Sequence, residues 1–570
     1  MILKALYDYY HRSDDMPAYG MEYKELGFIL VIDENGEFQY FEDNRKDSKS
    51  ATSFLVKKHV GRTSAIEANY LYDNSSYVFG YSRSDVVKDI KCFAAFKKKV
   101  KEISEMFPND RDLNALNLFY SKGHNEILDK LKQDSLWEEI EKNLSKKYSN
   151  FSFRIGGSKK ILAEKKEILQ IEDGVGDKTK EQRCLITGVK GILVETTTST
   201  MIPGSQATAK LVAFQVNSGY DSYGKKKCDN APISAEAEFE YSTALNRLLS
   251  RDSRNKFMIG NRTYLFWSSS NSEAGKKTEE SLFSMFEFSD TKKGDDPNAN
   301  IEKVRSVFNA IYSGNIKTSL DDKFYILGLA PNAARIAVVY WSETSLRAFA
   351  EKILLHFDDM DLGKCKRPYS GLRDMLGAVT LSGKHTDATS NLPDAVVKSI
   401  FQGLPYPHTL FASAIRRIRA EQDVTYYGGP CRVAIIKAYL NRLNDNNKKL
   451  QIMLDKENDN LGYLCGRLFA VLEKIQEEAN NISSIRDRYM NAASATPSTV
   501  FATILNLSSH HSEKLAVGRK VTFEKIKQEI IAKMPADGFP MHLDLQDQGR
   551  FFVGYYHQRQ DFFVKKEENN

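Results

Sequence analysis

Leu464, Leu468, Val471, Leu472, Ile475 and Ala479 fall at i, i+4, i+7, i+8, i+11 and i+15, and this spacing constrains the fold of the end of the chain more than any other feature. At 3.6 residues per turn all six share one helical face, whereas a strand would scatter them over both faces of a sheet. A helix with so broad an apolar stripe has to bury it against other helices. Val433, Ile436, Leu440 and Leu443 form a second stripe, and Phe523, Ile526, Ile530 and Met534 a third. Strand patterns become scarce beyond about residue 342, so the spacing predicts a helical bundle over 346–570.

The first part of the chain is patterned differently. Ile2, Leu3, Leu6, Tyr9 and Tyr10 share one face of a short amphipathic helix. Two runs, 28–32 and 37–41, flank Asn35-Gly36, a pair that accepts the positive φ of a tight hairpin turn. Helical spacing returns over 86–144, where Phe93, Phe96, Val100, Ile103 and Phe107 line up. Further strands are expected at 184–194, 210–216, 262–267, 324–329 and 336–341. The polar stretches 268–280 and 290–302 read as exposed loops. The expected fold class is α+β, a mixed helix and sheet region over 1–345 followed by the bundle.

At 570 residues the chain is too long for one compact core, and its length suggests about two to four domains. Its 41% hydrophobic and 27% charged content is that of a folded globular protein. A net charge of +6 is weakly basic over this length, so any grip on nucleic acid has to come from local patches. The six cysteines (Cys92, Cys184, Cys228, Cys365, Cys431 and Cys465) form no CxxC pair, which argues against a metal knuckle or a disulfide framework. No run of 18 apolar residues and no signal-like segment occurs, so a cytoplasmic protein without membrane association is expected.

Catalytic motifs are missing as well. GVGDKTK at 174–180 lacks the G-x-x-x-x-G-K-[ST] spacing of a phosphate loop. His510-His511 has no carboxylates beside it that would complete a metal site, and Asp321-Asp322 and Asp358-Asp359 read as loop carboxylates or helix caps. No enzymatic activity, cofactor or metal is expected.

The segment 539–563, FPMHLDLQDQGRFFVGYYHQRQDFF, sets Gln548, Arg550, His557, Gln558, Arg559 and Gln560 among Phe551, Phe552, Tyr555 and Tyr556. So many hydrogen-bonding groups beside large rings read as a surface made to meet something polar, a protein interface in preference to nucleic acid. The segment also resembles the C-terminal signature, roughly QGxFxxGYYHQRQ, of the large subunit of the type I-C CRISPR surveillance complex (Cascade). Six further blocks resemble that family: MILKALYDYY at the start, CLITG (184–188), DSYGKKKCDNAPIS (221–234), FYILGLAPNAARIAVVYW (324–341), NLGYLCGRLFAVLEKIQEEAN (460–480) and IRDRYMNAASATPSTVF (485–501). Cys465 and Ala337-Val338-Val339 depart from the family pattern in ways that bear on packing only.

The resemblance implies a non-catalytic subunit that recognises a short motif beside the target in duplex DNA. It implies help in opening the duplex and holding the R-loop, and a part in recruiting a separate helicase-nuclease. The partners it implies are crRNA, target double-stranded DNA, the backbone and crRNA-processing subunits, and a small subunit. It also implies that residues from Met453 onward, 453–570, resemble a small subunit made from an internal start, although Met453 reads equally as a core methionine.

Three stretches offer groups for nucleic acid, since phosphates are gripped by Lys and Arg and base edges are read by polar side chains. In residues 55–80, Lys57, Lys58 and Arg62 suit phosphate, and Ser64, Asn69, Asn74 and Tyr77 suit groove edges. This stretch resembles the family's N-terminal RTSGxxxNxLxDNxxYxxG pattern. Asx-turns and helix caps in a loop leading to a strand explain the same residues equally well. In the second stretch Gln215, Asn217, Tyr220 and Tyr223 precede Lys225, Lys226 and Lys227, which a purely solvated loop would also explain. In the third, Arg416, Arg417 and Arg419 lie close together, with Arg432, Lys437 and Arg442 following, either tracking a strand or decorating a helix surface. A fourth, weaker patch is Lys97, Lys98, Lys99 and Lys101. Two other readings stay open: a structural scaffold that reads no sequence, and a CRISPR RNA-processing endonuclease.

Overall fold

The computed structural model describes residues 2–47, 50–60, 62, 66–83, 85–144, 150–172, 181–200, 202–214, 223–287, 297–363, 369–425, 428–443, 449–482 and 484–563. The chain packs as two compact units. The smaller comprises Ser13–Thr198 and Phe214–Ala244, and the larger comprises Met1–Arg12, Ser199–Ala213 and Leu245–Asn570.

After α1 (Ile2–Arg12), which belongs to the larger unit, the chain runs through β1 (Met21–Glu25), β2 (Phe28–Ile32), β3 (Phe38–Asp43), β4 (Ser53–Lys57) and β5 (Tyr72–Asn74). Next come α2 (Ser75–Val78), α3 (Val86–Met106), α4 (Arg111–Ser121), α5 (His124–Leu131) and α6 (Trp137–Asn143). These are followed by β6 (Asn150–Ile155), α7 (Lys166–Leu169), β7 (Glu181–Arg183) and β8 (Lys190–Ile192). The unbroken apolar run of β2 is buried along its whole length, as a strand covered on both faces must be. It pairs antiparallel with β3 and parallel with β6, in the sheet order β3-β2-β6-β5.

The expected hairpin forms between β2 and β3. Asp33 accepts the N–H groups of Asn35 and Glu37 at 2.9 and 2.8 Å, and Gly36 turns at φ 73°. A Cβ at Gly36 would come within 2.6 Å of the Ala115 carbonyl and the Phe119 amide, so the turn is seated on α4. The helical stretch 86–144 divides into α3 to α6, with Phe93, Phe96, Val100 and Ile103 buried on α3 as their spacing predicts. The strand expected at 184–194 is shorter than its pattern. Cys184 opens a tight turn in which the Gly188 amide donates to the Cys184 carbonyl at 2.9 Å, leaving only β8 as strand.

The larger unit continues from α8 (Ala235–Leu249), which the two units share, into β9 (Lys256–Ile259), β10 (Arg262–Ser268), α9 (Glu273–Glu287), α10 (Pro297–Ser313), β11 (Lys323–Asn332) and β12 (Arg335–Ser345). β9 to β12 form an antiparallel meander in sequential order. The strand expected at 210–216 shrinks to one bridge, Lys210 to Arg335, among the described residues. The loop expected at 268–280 is overturned from Glu273 onward: Ala274, Thr278 and Leu282 are buried on α9, while Glu273, Lys276 and Glu280 are exposed. Within 290–302, residues 297–302 likewise open α10, and 290–296 lie outside the described residues.

After β12 only helices follow among the described residues: α11 (Leu346–Met360), α12 (Leu372–Ala378), α13 (Leu392–Gln402), α14 (His408–Glu421), α15 (Gly429–Asn441), α16 (Leu461–Asn480), α17 (Ser484–Ala495), α18 (Phe501–Ser512), α19 (Val517–Ile531) and α20 (Leu545–Asp561). The architecture is α+β, as the patterning predicts. No helix among the described residues is long and apolar enough to cross a membrane.

α20 carries the polar aromatic segment, and the reading of that segment as an outward-facing interface has to be corrected. Residues Gly549 to Gln558 are all buried. Their hydrogen-bonding groups are used inside the bundle, as burial requires. His557 Nδ1 lies 3.0 Å from the Tyr463 hydroxyl, and Gln558 Oε1 accepts from Arg467 Nε at 3.1 Å. Arg467 continues to Glu529 at 2.7 Å. Tyr555 donates to Glu473 at 2.5 Å, and Arg559 reaches Glu473 and Glu477 at 3.1 and 2.7 Å. α16 and α20 approach closely enough for this because Gly462, Gly466 and Gly554 present no Cβ; one there would overlap the backbone of Asp547, Phe551 and Tyr463 respectively.

Gly466→Ala should therefore cost about 1–3 kcal/mol by overpacking, although alanine is the better helix former by about 1 kcal/mol. Urea unfolding measures it, and a variant as stable as the parent would show that the helices do not meet at this distance. A second expectation concerns acid. Burial pushes the His356 and His557 imidazoles down to about 3, against an ordinary value near 6.5. Between those values the unfolded chain binds protons that the folded chain refuses, so folding weakens as pH falls from 6.5, by at most about 1.4 kcal/mol per pH unit per histidine. The urea midpoint should drop between pH 7 and pH 5, and His557→Gln should flatten that limb whatever it does to stability at pH 7.

Candidate nucleic-acid interface

The first stretch of predicted contacts is organised by a residue that sequence reasoning passed over. Asp73, on β5, is 1% exposed, and a carboxylate taken out of water needs donors on both oxygens. Arg62 supplies a two-pronged pair, to Oδ1 at 3.0 Å and to Oδ2, while the backbone N–H groups of Asn69 and Asn74 donate at 2.9 and 2.8 Å. Arg62 Nε also donates to the Glu67 carbonyl at 2.6 Å, and the guanidinium lies 4.0 Å from the centre of the Tyr77 ring. Burial pulls the Arg62 pKa down, but the bonds to Asp73 outweigh it and hold it above its ordinary value, so the cation is permanent. The signal for this hub was legible: Asp73 is the only acidic residue between Ala68 and Gly80.

Around Asp73 several expected contacts turn out to be internal. Asn69 is buried, and its Oδ1 accepts the Val60 N–H at 2.9 Å. Asn74 Oδ1 accepts the Ser76 N–H at 3.1 Å and caps α2, the Asx alternative for this residue. Tyr77 is buried beneath Arg62. Lys57 is 4% exposed, with its ammonium donating to the Ile171 carbonyl and lying 4.9 Å from the Tyr70 ring centre. The phosphate role expected for Lys57 and the groove-edge roles expected for Asn69 and Tyr77 are corrected accordingly, because their polar atoms or faces are spent on the fold. Lys58 remains half-buried, 3.5 Å from the Thr198 hydroxyl and 5.2 Å from the Phe239 ring centre. Ser64 lies outside the described residues. Arg62 on Asp73 and His59 Nδ1 on Glu22 at 2.9 Å thus pin the described residues of the strap, which lies between Lys58 and Asn69.

Gln215, Asn217 and Tyr220 of the second stretch lie outside the described residues. Tyr223, Lys225 and Lys226 are exposed, and they form no ion pair with the described residues. Lys227 pairs with Glu195, and Asn230 Nδ2 donates to the Lys227 carbonyl at 3.1 Å. The Leu185 N–H donates to the Pro232 carbonyl at 2.9 Å, joining the CLITG and DSYGKKKCDNAPIS blocks although 32 residues separate them.

In the third stretch Arg416 alone is exposed without a partner among the described residues. Arg417 pairs with Glu421, and Arg419 lies 3.4 Å from Gln548 Oε1. Arg432 and Lys437 are buried, donating to the Ala378 and Asp358 carbonyls at 2.7 and 3.1 Å, and Arg442 pairs with Asp359 at 2.6 Å. The cationic groove expected from these helices therefore reduces to Arg416. Of the weaker patch, Lys98 and Lys101 form i, i+4 pairs on α3 at 3.8 and 3.7 Å, the spacing of a solvated helix face. Among the described residues no three His, Cys, Asp or Glu side chains gather where they could hold a metal ion.

No curated protein matches the chain. A family model described as CRISPR-associated protein (Cas_Csd1) matches residues 6–563, which takes in every stretch discussed above. The chain belongs to the Cas_Csd1 family of CRISPR-associated proteins, the family of the type I-C Cascade large subunit.

Proposed function

We propose that this chain reads the short motif flanking the target of a type I-C interference complex and has no catalytic role of its own. Membership of the Cas_Csd1 family along nearly the whole chain is the observation that carries the reading. The guide RNA reads the target by base pairing, while this protein grips the flanking duplex, helps open it and hold the R-loop, and marks the complex for a helicase-nuclease. Lys58 on the pinned strap, Lys225 and Lys226 on the exposed loop, and Arg416 on α14 are the contact groups the fold leaves accessible, whereas Arg62 is spent on Asp73 and Glu67 and Asn74 on the cap of α2. Asp73, Asn69 and Tyr77 hold the strap in shape. Its other partners are crRNA and the backbone, crRNA-processing and small subunits.

The proposed division places flank reading in 1–345 and a helical scaffold in 346–570, with 453–570 also made as a small subunit. Two observations support the last point. Arg467, Glu473, Glu529, Tyr555 and Arg559, the polar network joining the last helices, all lie within 453–570. Met453 is 54% exposed, which removes the alternative of a core methionine.

The reading is tested by binding the reconstituted guide-loaded complex, with and without this chain, to targets whose three flanking base pairs are randomised. A short flank should be enriched only when the chain is present, with about 1–3 kcal/mol of discrimination per base contact. Equal enrichment without it would leave a scaffold, and specific cleavage of repeat RNA by the isolated chain would make it an endonuclease. Met453→Leu should abolish the short product on a blot of the native gene, and persistence of that product would exclude this start.

A further inference from the structure

Tyr223 is 99% exposed and its backbone sits at φ 54°, a left-handed conformation that a bulky L residue adopts only at a cost. Gly224 (φ 72°) and Lys227 (φ 48°) turn the same way, so the chain reverses tightly at this tip. The side chains of Tyr223, Lys225 and Lys226 make no hydrogen bond or ion pair with the described residues. Beneath them the loop is fixed: Lys227 pairs with Glu195, the Asp229 N–H donates to the Lys226 carbonyl at 3.0 Å, and the buried Cys228 thiol donates to the Ala231 carbonyl at 3.3 Å. A firm base thus presents to solvent one ring and two ammonium groups that have no hydrogen-bond or ion-pair partner among the described residues.

That combination matches the two parts of an unpaired nucleotide, a π face and a phosphate. A base within a duplex has both faces covered by its neighbours, so the ring can engage one only where the stack is opened. A protein partner that covered the ring would also have to take two lysines out of water, which is costly without a matching acidic group on that partner.

We infer that Tyr223 stacks on an unpaired base at the opened edge of the flanking duplex while Lys225 and Lys226 hold the adjacent phosphates. This rests on the DNA-binding reading above and adds the ligand chemistry, a single-stranded nucleotide.

The test uses the guide-loaded complex with the full chain and a target whose first pairs beside the flank are pre-opened as a mismatched bubble. 2-Aminopurine is placed next to the flank in either strand in turn. Tyr223→Ala should lose the fluorescence quench seen with the parent in one of the two strands and bind the bubble about 5- to 150-fold more weakly. Tyr223→Phe should keep both properties, because the ring alone stacks. Lys225→Ala with Lys226→Ala should lower the slope of log affinity against log salt by about 1.4 to 1.8. Parent-like quench and affinity in Tyr223→Ala would overturn the inference, and so would loss of that variant from the purified complex, which would make the ring a protein contact. The bubble needs no flank recognition. A failure of flank enrichment would therefore overturn the reading it rests on while leaving this measurement decisive.

Discussion

α16 and α20 meet backbone to backbone because Gly462, Gly466 and Gly554 carry no Cβ, and much of the larger unit is arranged around that contact. Close approach brings Tyr463, Arg467 and Glu473 on one helix within hydrogen-bond reach of Tyr555, His557, Gln558 and Arg559 on the other. On α20, Gly549 makes room in turn for Phe411 of α14 and Ile436 of α15, each 3.0 Å from where its Cβ would stand. α20 thus gives α15 and α16 a shared surface to close on, beside the helices each already packs against. A larger residue at any of these positions would push apart the donors and acceptors as well as the helices.

The same logic recurs in the smaller unit on a smaller scale. Asp73 at the end of the β4 to β5 connection and Glu473 in the bundle are both carboxylates closed off from water and held by arginines. They differ in consequence. Asp73 is saturated by a two-pronged guanidinium and two backbone donors, and so holds Arg62 and Asn69 to β5. Glu473 has its pKa raised by burial, and it gathers Tyr555, Arg559 and Arg486 from α20 and α17, with Arg486 standing 3.7 Å away. Breaking either by removing one partner would leave a buried charge, a loss of about 3–5 kcal/mol. These polar centres therefore specify which segments meet and in what register.

Periodicity made the architecture legible where one pattern dominated. The stripe on α16, the Asn35-Gly36 hairpin and the helices between residues 86 and 144 follow from spacing and turn chemistry, because each is decided by neighbours in sequence. The misreadings share a cause. Residues 273–280 look like a loop because they are polar and small, yet Ala274 joins Leu282, Met285 and Phe286 farther along in docking a helix. The α20 segment looks like an outward surface because the partners of Tyr555, His557 and Gln558, namely Glu473, Tyr463 and Arg467, stand more than eighty residues away. Lys57 was misplaced for the same reason, its partner Ile171 lying far along the chain, whereas Asn69 bonds Val60 within its own loop. Residue type announces a capacity to bond, and only the fold shows whether that capacity has already been used.

That distinction decides where recognition can lie. A side chain satisfied inside the protein can meet a nucleic acid only by giving up its bond, at about 1–3 kcal/mol for each buried group left unpaired. Lys57, Asn69, Arg432, Lys437 and Gln558 would each incur that loss, so their number in the sequence overstates the surface on offer. Lys225, Lys226 and Arg416 would not, because their charges already stand in water without a partner among the described residues. Counterion release then adds to every phosphate such a group reaches. Among the described residues the arginines and lysines thus divide into those that build the fold and those that stand free, and with a net charge of only +6 any grip on nucleic acid has to come from local groups of the latter.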